Sequence, residues 1–129
     1  MDIYGEIILD HFKNPRQAGL LEQADLFGED SNPLCGDKVK ISLKISADGV
    51  VEKFGFLGDG CAISVASSSI LGEKLIGKKL VEILAMDSEE MLKLLEIPIS
   101  PGRIKCALLG FSCLKKSATI YQAEQKKHD

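Results

Sequence analysis

A run of strict alternation constrains the fold more than any other feature. Val39, Ile41, Leu43 and Ile45 alternate with Lys40, Ser42, Lys44 and Ser46. A period of two sorts these residues onto an apolar and a polar face only if the chain is extended. Asp48-Gly49 follows, and glycine accepts the positive φ of a tight hairpin turn. Val50 to Leu57 then returns as a second strand, with Phe54 and Phe56 on one face. Two strands alone are marginal, so a third short strand or a cover of helices is required.

The rest of the chain supplies the helices. Asp2 can cap a helix from Ile3 to Lys13, with Ile3, Ile7 and Ile8 on one side, and Asn14-Pro15-Arg16 ends it. A polar loop is expected from there through Gly28 and Asn32-Pro33 to Cys35. Gly58-Asp59-Gly60 breaks the second strand and delivers Cys61, and a helix follows from Ile63 to Ile76 with Gly77 as its stop. Lys79 to Met86 reads as a short helix. Asp87 and Glu90 form a capping-box pattern for the next, which ends before Pro98. Ser100 as cap and Pro101 in the first turn open the last helix. Its apolar positions, among them Ile104, Ala107, Leu108, Phe111 and Leu114, recur at three-and-four spacing. Gln122 to Asp129 is expected to be a polar, frayed tail. No repeat or linker interrupts the 129 residues. The expectation is one α+β domain over 1–129. It would be a small antiparallel β-sheet of about three strands, covered by helices, with a long C-terminal helix.

Charge and composition narrow the chemistry. A net charge of −3 and 5% aromatic residues argue against nucleic-acid binding. No apolar run approaches the roughly 20 residues that cross a bilayer, and the acidic start lacks a signal-peptide pattern. A cytoplasmic protein is expected, in which thiols stay reduced. Such cysteines read as metal ligands, nucleophiles or core fillers. Cys35 lies in a loop, Cys61 between a strand end and a helix start, and Cys106 in the first turns of the last helix. Three thiols on three element ends can converge in a shared pocket open to solvent. A helix start favours the thiolate of Cys61, and Gly36 and Gly60 would let backbone amides approach sulfur. Asp37 projects to the same side as Cys35 if the stretch is extended. Three thiolates and one oxygen suit zinc or iron, with the carboxylate as the weak corner. The spacing alone leaves buried structural cysteines as an equal alternative. Cys113 falls about 10 Å along the helix from Cys106, so it reads as a small buried filler. His11 reads as a structural hydrogen-bonding group, and the Ser67–Ser69 run as close helix packing. Lys105 is either a surface residue or a partner of Asp37 or a free thiolate.

The chain resembles the IscU/NifU-type iron–sulfur scaffold family over nearly its whole length. Four blocks, in order, carry the likeness: Tyr4 with Asp10-His11-Phe12-Lys13-Asn14-Pro15-Arg16; Asn32-Pro33-Leu34-Cys35-Gly36-Asp37; Gly58-Asp59-Gly60-Cys61-Ala62-Ile63-Ser64; and Arg103-Ile104-Lys105-Cys106-Ala107-Leu108-Leu109. The resemblance implies that Cys35, Asp37, Cys61 and Cys106 hold a [2Fe–2S] iron–sulfur cluster or Zn2+. It implies a scaffold rather than an enzyme, fed by a cysteine desulfurase and emptied by recipient apo-proteins, as a monomer or weak oligomer. Lys105 stands where many members carry histidine, as in the SufU-type branch. That branch implies the alternative of a zinc-dependent sulfurtransferase, with Lys105 beside or gating the site. Its usual insertion before the last cysteine helix has no room between Met86 and Pro101. Ile99-Ser100-Pro101-Gly102-Arg103 replaces the Leu-Pro-Pro-Val-Lys chaperone-docking segment of some scaffolds.

Overall fold

A computed structural model describes residues 3–16, 18–32 and 36–127. The elements run α1 (Ile3–Lys13), β1 (Leu26–Asn32), β2 (Asp37–Ile45), β3 (Val51–Asp59), α2 (Ala62–Leu75), α3 (Leu80–Ala85), α4 (Ser88–Leu95), a 3-10 turn (Pro101–Arg103) and α5 (Ile104–Lys127). The strands form one antiparallel sheet in the order β1-β2-β3. The architecture is α+β, as the alternation and the helical spacings require. No helix among the described residues is long and apolar enough to cross a membrane.

The β2–β3 hairpin forms where Asp48-Gly49 predicts it. Gly49 has φ +80°, and its N–H donates to the Ser46 carbonyl at 2.9 Å. Val39, Ile41 and Leu43 are buried with Phe54 and Phe56 beneath the helices. The outward row is partly covered too. Gly19 N–H donates to the Phe56 carbonyl at 2.8 Å, and Leu21 N–H donates to Ser42 Oγ at 3.0 Å. Ser42 is therefore buried although it lies on the polar side of the alternation.

The polar loop expected between Pro15 and Cys35 contains a strand instead. β1 pairs along β2 from Leu26↔Leu43 to Asn32↔Asp37. Its sequence, Leu-Phe-Gly-Glu-Asp-Ser-Asn, has low intrinsic strand preference. Tertiary context supplies what propensity lacks. A Cβ at Gly28 would lie 2.8 Å from Ser117 Cβ, with Ser117 Oγ nearer still, so this glycine lets α5 pack directly on the strand. Glu29 opposite Lys40 adds a favourable cross-strand pair.

α1 begins at Ile3, and the expected Asp2 cap lies outside the described residues. α1 docks on α2 through Ser69. The Ser69 Oγ lies 2.8 Å from His11 Nδ1 and accepts the Arg16 N–H at 2.8 Å. α2 ends just before Gly77, whose φ is +92°. Asp87 and Glu90 make the expected capping box of α4, with Glu90 N–H donating to Asp87 Oδ1 at 2.8 Å. Ser100 does not cap the last helix with its side chain; a 3-10 turn precedes α5 instead. The expected frayed tail is also corrected, since α5 continues through residues 122–127.

Candidate metal centre

The ladder of the sheet brings the first two candidate groups together. Lys38 pairs with Asp59, so the start of β2 lies beside the end of β3. Asp37 is the first residue of β2, and Cys61 follows the end of β3 as the N-cap of α2. α5 packs across α2 and the sheet, which sets Cys106, its third residue, over the same end. One carboxylate oxygen of Asp37, Cys61 Sγ and Cys106 Sγ all lie within 4.8 Å of one another.

Hydrogen bonds fix Asp37 and Cys61. Cys61 N–H donates to Asp37 Oδ1 at 3.0 Å. The Cys61 thiol donates to Asp37 Oδ2 at 3.6 Å. Ser64 N–H donates to Cys61 Sγ at 3.4 Å, so sulfur takes the capping role usually held by oxygen. Asp37 is only 2% exposed. A carboxylate so deeply buried needs hydrogen bonds, a cation or both. Asp37 and Cys106 are buried, and Cys61 is half-buried.

Donor chemistry and spacing suit a thiophilic cation. Ligand atoms around one tetrahedral zinc, at bond lengths of about 2.0–2.3 Å, lie about 3.3–3.8 Å apart. The 4.8 Å spread closes to that by side-chain shifts of about an ångström. Cys35, the fourth candidate, lies outside the described residues. Its neighbour Gly36 is described: it has φ +75°, and its N–H donates to the Asn32 carbonyl at 2.8 Å.

The remaining candidates separate cleanly. Cys113 is buried between α5 and β1, and desolvation is the main cause that pushes its thiol up to about 11. It is a core residue, as its helical spacing from Cys106 predicts. His11 is engaged with Ser69, away from the thiols. Lys105 is exposed and makes no ion pair with Asp37 among the described residues. It lines a groove of about 560 Å³ with Asn32 and Leu108. Gly60 serves a purpose that sequence reasoning missed. It makes room for the Asp37 carboxylate, since a Cβ there would meet Asp37 Cγ at 2.7 Å. The sequence signal was present in Gly60 itself, but its neighbour from β2 is a tertiary contact.

Known proteins are similar to this chain over most of its length. The profile of the NifU-like N-terminal domain matches residues 3–128. The chain belongs to this family. One member, the iron-sulfur cluster assembly scaffold protein IscU of Haemophilus influenzae, is 33% identical, and the match covers 95% of this chain and 98% of that protein. The zinc-dependent sulfurtransferase SufU of Bacillus subtilis is also 33% identical, over 88% of each chain. Among solved structures, the N-terminal part of a nitrogen-fixing NifU-like protein from Brucella abortus superposes with a TM-score of 0.73 at 30% identity, covering 96% of both chains. Equal identity to scaffold and sulfurtransferase means that overall likeness alone does not separate those two activities.

Proposed function

We propose that this protein is a cytoplasmic, non-enzymatic scaffold, a single domain, on which a [2Fe–2S] cluster is assembled and then passed to apo-proteins. The observation that carries this reading is the meeting of Asp37, Cys61 and Cys106 within 4.8 Å from three separate elements. Cys35 completes the ligand set in this reading. The family relationship to IscU proteins supports it.

The cluster is the cargo. A cysteine desulfurase presents a persulfide, and a thiolate of the site attacks its outer sulfur. The S–S bond of the donor breaks, a new S–S bond forms on the scaffold, and the donor's cysteine leaves as thiolate. Two electrons then cleave each scaffold persulfide to thiolate and sulfide, one from a ferrous ion, which becomes ferric, and one from a separate reductant. Iron held by the thiolates and Asp37 binds that sulfide. The protein's own work is to gather the thiolates, hold the Asp37 carboxylate by the Cys61 amide, and shield the site within the fold. A hard carboxylate binds a sulfur-rich iron centre less firmly than a fourth thiolate would, which leaves one corner ready to open during hand-over.

Purified protein mixed with ferrous iron, cysteine, a reductant and a cysteine desulfurase tests the reading. A brown species with charge-transfer absorption, lost in Cys61→Ser and Cys35→Ser, is the expected result. Asp37→Ala is expected to keep the cluster longer and release it more slowly to an apo-protein. A second reading is favoured by the likeness to the zinc-dependent sulfurtransferase and by Lys105. Here zinc holds the site and one thiol accepts sulfur. Tight zinc, strong stimulation of the desulfurase and no brown species would select it over the scaffold.

A further inference from the structure

Gly60 is exposed, and its φ is not positive. Neither burial nor backbone conformation therefore demands glycine at this place. Space does. A Cβ at Gly60 would lie 2.7 Å from Asp37 Cγ and 2.9 Å from Asp37 Cβ, with Oδ1 nearer still. These atoms belong to the start of β2, which is paired on both sides, to Asn32 at Asp37 and to Asp59 at Lys38. The carboxylate is itself enclosed and cannot yield by swinging into solvent. Its Oδ1 receives the Cys61 N–H at 3.0 Å, and its Oδ2 lies 3.6 Å from Cys61 Sγ. The two oxygens therefore have separate duties, and both depend on the carboxylate lying flat against residues 60 and 61.

We propose that Gly60 is a positioning residue for Asp37. Its missing side chain lets Oδ1 seat on the Cys61 amide, and that hydrogen bond aims Oδ2 at the sulfurs as a single-oxygen ligand. The inference deepens the scaffold reading and rests on it for what the carboxylate does to the cargo. A carboxylate whose charge is shared with an amide donor binds a cation through its other oxygen less strongly, and chelation through both oxygens is blocked. Gly60 thus sets how readily the oxygen corner opens.

Four variants test this: Gly60→Ala, Asp37→Ala, their combination, and Gly58→Ala as control. At Gly58 a Cβ meets Val65 Cγ2 at 3.4 Å and the Phe56 ring at 3.6 Å, which are ordinary contacts. The first readout is the Cys61 amide resonance of metal-free, nitrogen-15-labelled protein. It is expected to move upfield, with faster hydrogen exchange, in both Gly60→Ala and Asp37→Ala, and to stay put in Gly58→Ala. The second readout is cluster transfer from loaded protein to an apo-ferredoxin of the [2Fe–2S] type. Each single variant is expected to slow transfer by about tenfold and the double variant by no more than either, the coupling of two residues acting as one unit. An unmoved Cys61 amide in folded Gly60→Ala overturns the proposal, and so do slowing factors that multiply in the double variant. Transfer unchanged in Asp37→Ala, with the amide shifted in both single variants, would instead strike the scaffold reading and leave the positioning role standing. If Gly60→Ala alone does not fold, Gly60→Ala combined with Asp37→Gly is expected to fold, because all three clashing atoms are gone. That combination staying unfolded overturns the proposal.

Discussion

Desolvation pushes the Cys113 thiol up to about 11 from an ordinary 9.0, and the Asp30 carboxylate adds to the shift. The folded state thus keeps a proton that the unfolded state releases between those pH values. Stability is complete below about pH 9 and falls as pH rises towards about 11. Urea midpoints across that range should fall more in the wild type than in Cys113→Ala. His11 has the opposite sign. Desolvation first, then the Arg16 guanidinium, holds its imidazole below 6.5, against weaker opposing pulls from Glu73 and Asp10. The unfolded state then binds the extra proton, so the contribution is full above about pH 6.5 and is lost as pH falls below it. The urea midpoint should drop between pH 7 and 5.5, and that drop should shrink in His11→Gln. At this scale the sequence was informative about candidate ligands but not about their supports. Thiols and carboxylates announce their chemistry by type. Gly60 does not, because the group it accommodates lies 23 residues away in sequence, at the start of β2.

Elements whose cause is local were readable. The β2–β3 hairpin follows from alternation and a turn glycine, and α4 follows from its capping box. β1 was not readable, because its strand state comes from α5 and β2 rather than from its own residues. Gly28→Ala should therefore separate β1 from α5. The expected cost is about 1–3 kcal/mol, typical of overpacking a close contact, and urea denaturation measures it. Ser117→Ala in the same chain should restore part of that loss, since it removes the nearest clashing atom. The ends of α5 were misread for a related reason. The 3-10 turn before it and the helical continuation through residues 122–127 depend on packing and helix propagation rather than on Ser100 or a polar tail.

Across the whole molecule, the candidate centre ties the sheet to both long helices, since its groups stand on β2, α2 and α5. A cation that binds only this folded arrangement adds stability in proportion to its excess over the dissociation constant. At a hundredfold excess the gain is about 2.7 kcal/mol. Zinc should accordingly raise the melting temperature of the wild type and not that of Cys106→Ser, with a chelator reversing the gain; calorimetry reads both. α2 carries a different consequence. Ten of its fourteen residues are buried, four of them serines, because the sheet, α1, α4 and α5 all press against it. A helix hemmed in on every flank has no spare direction in which a mutation can grow. In a library of random variants selected for expression alone, the deepest depletion should fall on residues 64–72, and the half-buried Cys61 should be marked far less.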